Sequence, residues 1–298
     1  MSVIQRILSF LLAVVSFFTG LLGMNTEKLE ENEYRYGIYE RNLVDIILPE
    51  NASGTTRGVI LGIYGGAWIT GDKEGWSQSL REFASKGYVA AALNYRHVSD
   101  SIHVKDELDD IESALRKIKE VAAENGIKVE KVMLTGQSAG AHLSMLYAYS
   151  RADSSPLKPC AVVSEAGPAN LANEEYLQLL LGDEEKTLEL LCNLCGVKLT
   201  MAEYRNKIGR YPLWLSAIKK ISPVSYAKSA CPTVIAHGMQ DGVVPYSDAV
   251  ELDSLLTQAG ITHDFVIFPN SGHFLESDFA EKEKLNELFW KFAEDYMK

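Results

Sequence analysis

A serine flanked by glycines is the most reactive-looking feature of this chain: Gly136-Gln137-Ser138-Ala139-Gly140. A serine hydroxyl is a weak nucleophile until a base takes its proton, and that base must itself be oriented. Six histidines compete for the role. His273, in Asn270-Ser271-Gly272-His273-Phe274, lies just past the last stretch that reads as a strand, where loops face a ligand crevice. It is the candidate base. His142, just after the serine, reads as a packed neighbour, and His237 as a residue of the turn running to Asp241. His97, His103 and His263 have no such context. Asp241 also follows a strand, one before His273, and is the candidate orienting carboxylate; Asp264, Glu276 and Asp278 are the alternatives. An oxyanion needs N–H donors aimed at it. Ala139 offers one by position. Tyr64-Gly65-Gly66-Ala67-Trp68 offers the others from Gly65, Gly66 and Ala67, the last two preferred, because small residues let a backbone approach a substrate closely.

The elements around these residues predict how they are held. Residues 131–135 form a short apolar, β-branched run that reads as a buried strand, and residues 141–148 read as a helix. Strand, Gly-x-Ser-x-Gly, helix is the nucleophile elbow, a strained turn that lifts the hydroxyl clear of the backbone. Residues 43–48, 58–63, 87–94, 160–164, 232–236 and 263–268 also read as strands. Residues 76–86, 104–125, 247–259 and 279–296 read as helices. Such alternation predicts a mostly parallel, doubly wound sheet with helices on both faces. Residues 170–227 break the rhythm. They are long, helical and leucine-rich, and read as a cap inserted over the site rather than a separate domain. Tyr211 and Trp214 within it, and Trp68 beside the glycines, are candidates for substrate-pocket walls or for ordinary packing beneath the cap.

At 298 residues the chain can bury a sizeable core. A net charge of −11 without any basic cluster argues against nucleic acid as a partner, and against an anionic substrate held by a broad basic patch. Cys192 and Cys195 have a C-x-x-C spacing, but no second pair completes a zinc site, so they read as two cysteines on a helix. Residues 7–24 carry no charge and are apolar all round. Arg6 precedes them, and Glu27, Glu30, Glu31 and Glu33 follow, a bias that puts the N-terminus inside and the folded domain outside. Three readings stand: an uncleaved anchor, a cleaved signal, or a helix on the domain or membrane surface. The expected division is residues 1–28 and a catalytic domain over 29–298. The expected place is extracytoplasmic, anchored or secreted, with a cytoplasmic location as the alternative. Nothing in the sequence speaks to oligomeric state.

The order Ser138, Asp241, His273 is that of the α/β hydrolases. The chain resembles that superfamily over residues 40–298, and within it the esterases of the hormone-sensitive-lipase type and related acetyl and feruloyl esterases. The resemblance rests on Tyr64-Gly-Gly-Ala-Trp68, Asn94-Tyr95-Arg96, the Ser138 elbow, His237-Gly-x-x-Asp241 through Val244-Pro245, and Ser271-Gly-His-Phe274. It implies hydrolysis of carboxylic esters of short- to medium-chain acids without a cofactor; an anchored, outward-facing enzyme would suit acetylated or feruloylated polysaccharide fragments, and no metal site is read from the sequence. It also implies a Ser138–Asp241–His273 triad. Two rival readings are an amide-directed hydrolase of the same fold, such as an arylformamidase or peptidase, and a non-catalytic binding protein. Tyr64 stands where those esterases usually carry histidine, and Ala67 replaces a third glycine.

Overall fold

The computed structural model describes residues 32–50 and 57–297. The charge-free run of residues 7–24 lies outside them. Among the described residues no helix is long and apolar enough to cross a membrane.

Eight strands form one sheet: β1 (Asn32–Arg35), β2 (Leu43–Ile47), β3 (Val59–Ile63), β4 (Val89–Asn94), β5 (Lys131–Gln137), β6 (Lys158–Glu165), β7 (Thr233–Gly238) and β8 (His263–Phe268). Their order is β1-β2-β4-β3-β5-β6-β7-β8. The β1–β2 and β2–β4 pairs are antiparallel, and the remaining pairs are parallel. The strands β3 and β4 are buried throughout, as a parallel sheet covered on both faces requires. β1 has no counterpart in the sequence reading. It is a short, mostly exposed edge strand without an apolar alternation.

Side chains alternate between two cores. Val59, Leu61 and Ile63 face one, and Ile60 faces the other. On the second face lie α1 (Ser77–Ser85), through Leu80 and Phe83, and the C-terminal helix Phe279–Tyr296, through Leu285 and Phe292. On the first face lie α2 (Val104–Glu124) and α3 (Ala139–Ser150), and later the helix Tyr246–Ala259. Nearly every residue of α3 is buried, so it has no polar stripe.

Between β6 and β7 the chain makes α4 (Tyr176–Leu179), α5 (Glu184–Cys195), α6 (Met201–Asn206) and α7 (Tyr211–Lys220). Local chemistry starts and stops them. Asp183 caps α5 through Glu185 and Lys186 N–H, left-handed Gly196 ends it, and Thr200 and Glu203 form a capping box for α6. The insertion is cinched at its base, where Leu171 N–H donates to Ser222 Oγ at 3.1 Å. The helices α8 (Tyr246–Ala259) and α9 (Phe279–Tyr296) complete the fold. Asp248 of α8 accepts from Ala169 and Asn170 N–H at 2.6 and 3.0 Å, fixing the point where the insertion leaves the sheet.

Candidate active site

Ser138 sits between β5 and α3 with φ 56° and ψ −124°. That positive-φ backbone is costly for any residue but glycine, and two backbone hydrogen bonds hold it in place. Ser138 N–H donates to the Glu165 carbonyl at 2.8 Å, and the Ser138 carbonyl accepts from His142 N–H at 3.0 Å. Gly140 must lack a side chain because a Cβ there would drive into the Ile63 and Tyr64 carbonyls.

The loops after β7 and β8 bring the other two candidates to this serine. His273 Nε2 lies 2.8 Å from Ser138 Oγ, and His273 Nδ1 lies 2.8 Å from Asp241 Oδ2. With Asp241 ionised, Nδ1–H donates to the carboxylate and Nε2 is left to accept from the serine hydroxyl. The other oxygen, Oδ1, accepts from Val243 and Val244 N–H at 2.8 and 2.9 Å. Burial pulls the Asp241 carboxyl upward, but hydrogen bonds from His237 and His273 outweigh it and hold the group well below the usual carboxylate range. His237 contributes through Nε2, 3.3 Å from Asp241 Oδ2 and 3.1 Å from the Val244 carbonyl. So His237 serves the turn, as expected, and also touches the carboxylate, which its sequence context did not reveal.

The alternative carboxylates hold the loop rather than the imidazole. Asp278 accepts from Ser271 Oγ at 2.6 Å and from Asn270 N–H, and Glu276 accepts from Gly272 N–H at 3.3 Å. Asp264 lies in β8.

The Gly65–Trp68 turn follows β3 and lies alongside the serine: a Cβ on Gly65 would sit 3.1 Å from Ser138 Cβ. Gly66, Ala67 and Trp68 all have positive φ, at 121°, 50° and 62°. The N–H groups of Gly66, Ala67 and Ala139 find no acceptor among the described residues. Free donors at a helix start and on a neighbouring loop are suited to a developing oxyanion.

Tyr64 anchors that loop from behind. Its ring stacks on Tyr95 at 4.4 Å and 12°, and Tyr95 Oη donates back to the Tyr64 carbonyl at 3.0 Å. Arg41, in the β1–β2 connection, ties it down. It donates to the Tyr64 hydroxyl at 2.8 Å, to the Gly71 carbonyl at 2.9 Å and to the Tyr95 carbonyl at 3.0 Å. The Tyr64–Arg41 pair therefore ties the start of this loop to Gly71 and Tyr95. No sequence signal pointed to Arg41.

Trp68 and Trp214, open to a pocket-wall or a packing reading, are both deeply buried. Trp68 is 1% exposed and Trp214 is 2% exposed, so neither presents surface to a substrate. Trp68 packs edge-on against His142. Trp214 packs with Tyr204 and Tyr211 inside the insertion between β6 and β7, where Tyr211 is half-buried. A groove of about 570 Å³ runs along α7 between Pro212 and Tyr226, and none of the Ser138 site residues lines it. Cys192 and Cys195 are free thiols on α5, and burial pushes the Cys195 thiol up to about 12. Among the described residues no group of three or more His, Cys, Asp and Glu is placed to hold a metal ion.

A mostly parallel sheet with an elbow serine at the end of its central strand defines an α/β hydrolase. The chain belongs to the BD-FAE family, whose sequence profile matches residues 44–256. It is 24% identical over 254 residues to a probable isoprenylcysteine alpha-carbonyl methylesterase of Oryza sativa subsp. japonica, covering 80% of this chain and 56% of that protein. It is 28% identical over 236 residues to esterase LipQ of Mycobacterium tuberculosis, covering 78% of this chain and 54% of that protein. The chain spans about half the length of the curated relatives it matches. In fold it is similar to esterase B from Lactobacillus rhamnosis, with TM-score 0.72 and 17% identity over 98% of this chain and 94% of that one. It is also similar to a truncated carbohydrate esterase from gut microbiota, with TM-score 0.68 and 23% identity over 90% of this chain and 98% of that one.

Proposed function

We propose that this chain is a serine carboxylic-ester hydrolase for short- to medium-chain acyl esters, with acetylated or feruloylated carbohydrates as a natural substrate class. The observation that carries the reading is the continuous hydrogen-bonded chain from Ser138 Oγ through His273 to Asp241, beside free N–H donors. His273 Nε2 takes the hydroxyl proton as Ser138 Oγ bonds to the ester carbonyl carbon. The carbonyl oxygen, now negative, is held by N–H groups of Gly66, Ala67 and Ala139. As the carbon–oxygen bond to the alcohol breaks, His273 gives its proton to the leaving oxygen. Water then repeats the sequence on the acyl-enzyme and frees Ser138. Asp241 keeps Nδ1 protonated and offsets the imidazolium charge. The charge-free residues 7–24 support a place at a membrane with the catalytic domain outside.

The test is hydrolysis of p-nitrophenyl esters from acetyl to dodecanoyl by the full chain and by Ser138→Ala, with the matching anilides alongside. Loss of Ser138 is expected to lower kcat by roughly 10⁴ or more. Equal rates in the two proteins would sink the assignment, and preference for the anilides would move it to an amide hydrolase.

A further inference from the structure

The Gly65–Trp68 loop holds two adjacent residues with side chains, Ala67 and Trp68, at positive φ. Such a conformation persists only where surrounding contacts over-determine it. Backbone bonds account for part of this: Ile69 and Thr70 N–H both reach the Gly66 carbonyl at 3.1 Å, and Val98 N–H reaches the Trp68 carbonyl at 2.9 Å. The side-chain contact is one bond. Trp68 Nε1–H donates to His142 Nδ1 at 3.1 Å, with the rings at 88°. An indole N–H can only donate, so His142 Nδ1 carries no proton. The proton is then on Nε2, which donates to the Ile221 carbonyl at 2.7 Å. Ile221 is the residue that ends α7 of the cap. Both rings are buried, His142 at 0% and Trp68 at 1% exposed, so no water competes for either bond. Burial also pulls the imidazole down to about 4, which keeps it neutral.

His142 therefore touches three parts of the site at once. Its backbone N–H holds the Ser138 carbonyl, its Nδ1 holds the oxyanion loop, and its Nε2 holds the cap. We propose that His142 is a positioning residue, which sets the oxyanion donors through Trp68 and couples them to the cap through Ile221. This rests on the esterase reading above and names the residue that makes its oxyanion site rigid.

Two substitutions separate the bonds. His142→Asn puts an amide oxygen near the Nδ1 position, keeping an acceptor for Trp68 while losing the donor to Ile221. His142→Gln reaches toward Ile221 with its amide N–H but carries no acceptor at the Nδ1 position. Both are compared with the wild-type full chain on p-nitrophenyl acetate, per site titrated with a fluorophosphonate. His142→Gln is expected to lose kcat about tenfold or more with KM nearly unchanged, a smaller loss than removing a donor outright. His142→Asn is expected to keep kcat within about threefold of wild type, since the Trp68 bond survives. Wild-type kcat in His142→Gln, or equal losses in both variants, would overturn the proposal, because a merely structural histidine would move melting temperature and titrated yield instead. Should His142→Gln not fold, Trp68→Phe removes the same bond from the loop side. It must then show the same selective loss of kcat, and unchanged kcat overturns the proposal. The ¹⁵N spectrum of wild-type His142 gives a readout without activity: the Nε2–H tautomer is required, and the Nδ1–H form contradicts it. Absence of any Ser138-dependent turnover in the wild type, with that tautomer observed, would count against the esterase reading and leave the Trp68–His142–Ile221 link standing.

Discussion

Arg41 donates to the hydroxyl of Tyr64 across 2.8 Å, and the same nitrogen reaches the Gly71 carbonyl at 2.9 Å. One guanidinium thus closes the Tyr64–Gly71 segment on itself, behind the residues that face Ser138. A charge-assisted bond of this kind stabilises by about 1.5–3 kcal/mol. Arg41→Ala should therefore unfold at lower urea and lose about tenfold in kcat, the scale expected when a rigid donor array is loosened rather than removed. Tyr64→Phe keeps the stack on Tyr95 and loses only the hydroxyl, so its kcat should fall less. Equal kcat in Arg41→Ala and wild type, at full occupancy of folded protein, would show that the loop keeps its shape without this anchor.

Gly65 is the tightest point between loop and elbow. A Cβ there would come within 2.7 Å of both the Gln137 carbonyl and Gln137 Oε1, and 3.1 Å of Ser138 Cβ. Something must shift, and the neighbours that would have to give are Gln137 and Ser138. Gly65→Ala should fold, because its φ lies outside the left-handed region, but should lose roughly 100-fold in kcat/KM, as ångström-scale displacements of reacting groups do. Steady-state kinetics with a melting curve decide the case. Retained activity would mean that the loop yields away from Ser138 at little cost.

The legible and illegible parts of this site differ in how far apart their partners lie in sequence. Ser138, Asp241 and His273 stand at the ends of strands with strong local patterns, so their placement near one another follows from topology alone. The strand β1 has no such pattern, being exposed and polar. Arg41 is 23 residues from Tyr64 and lies in a connection with no motif, so only the fold reveals their bond. Trp68 and Trp214 stay open to two readings in the sequence for the same reason. An aromatic residue beside an oxyanion loop or in a cap suits a pocket wall, and its burial depends on long-range neighbours such as His142 that the sequence does not rank. Tyr64 in place of histidine is visible in the sequence as a departure, but its bond to Arg41 is not.

Glu107 carries a pH signature. It is fully buried on α2, and neither carboxyl oxygen has a hydrogen-bond partner among the described residues. Burial, reinforced by the Asp110 and Asp106 carboxylates, pushes its carboxyl well above the usual range. The folded chain thus keeps a proton that the unfolded chain releases above about pH 4.5. Stability falls as pH rises above about 4.5, by at most about 1.4 kcal/mol per pH unit for this one proton. Asp248, pushed by burial up to about 6, adds a dependence of the same sign in both proteins compared, so it cancels. The melting temperature of Glu107→Gln minus that of wild type should therefore grow from about pH 5 to about pH 8. A difference that stays constant with pH would mean that Glu107 does not hold its proton in the folded chain.

Trp214 tests whether the cap's aromatic cluster is core or pocket. Its ring lies 5.4 Å from Tyr204 and 5.8 Å from Tyr211, with only 2% of the residue exposed. Truncating a buried tryptophan to alanine costs about 3–5 kcal/mol where the site cannot collapse. The helices α6 and α7 carry few other buried side chains, so the loss should be felt first within the cap. Trp214→Ala should therefore melt earlier and be cut sooner by protease between β6 and β7. Its ratio of kcat/KM for acetyl against octanoyl esters should stay within about threefold of wild type, since no pocket contact is removed. A shifted ratio in a variant as stable as wild type would return Trp214 to the wall of the acyl pocket.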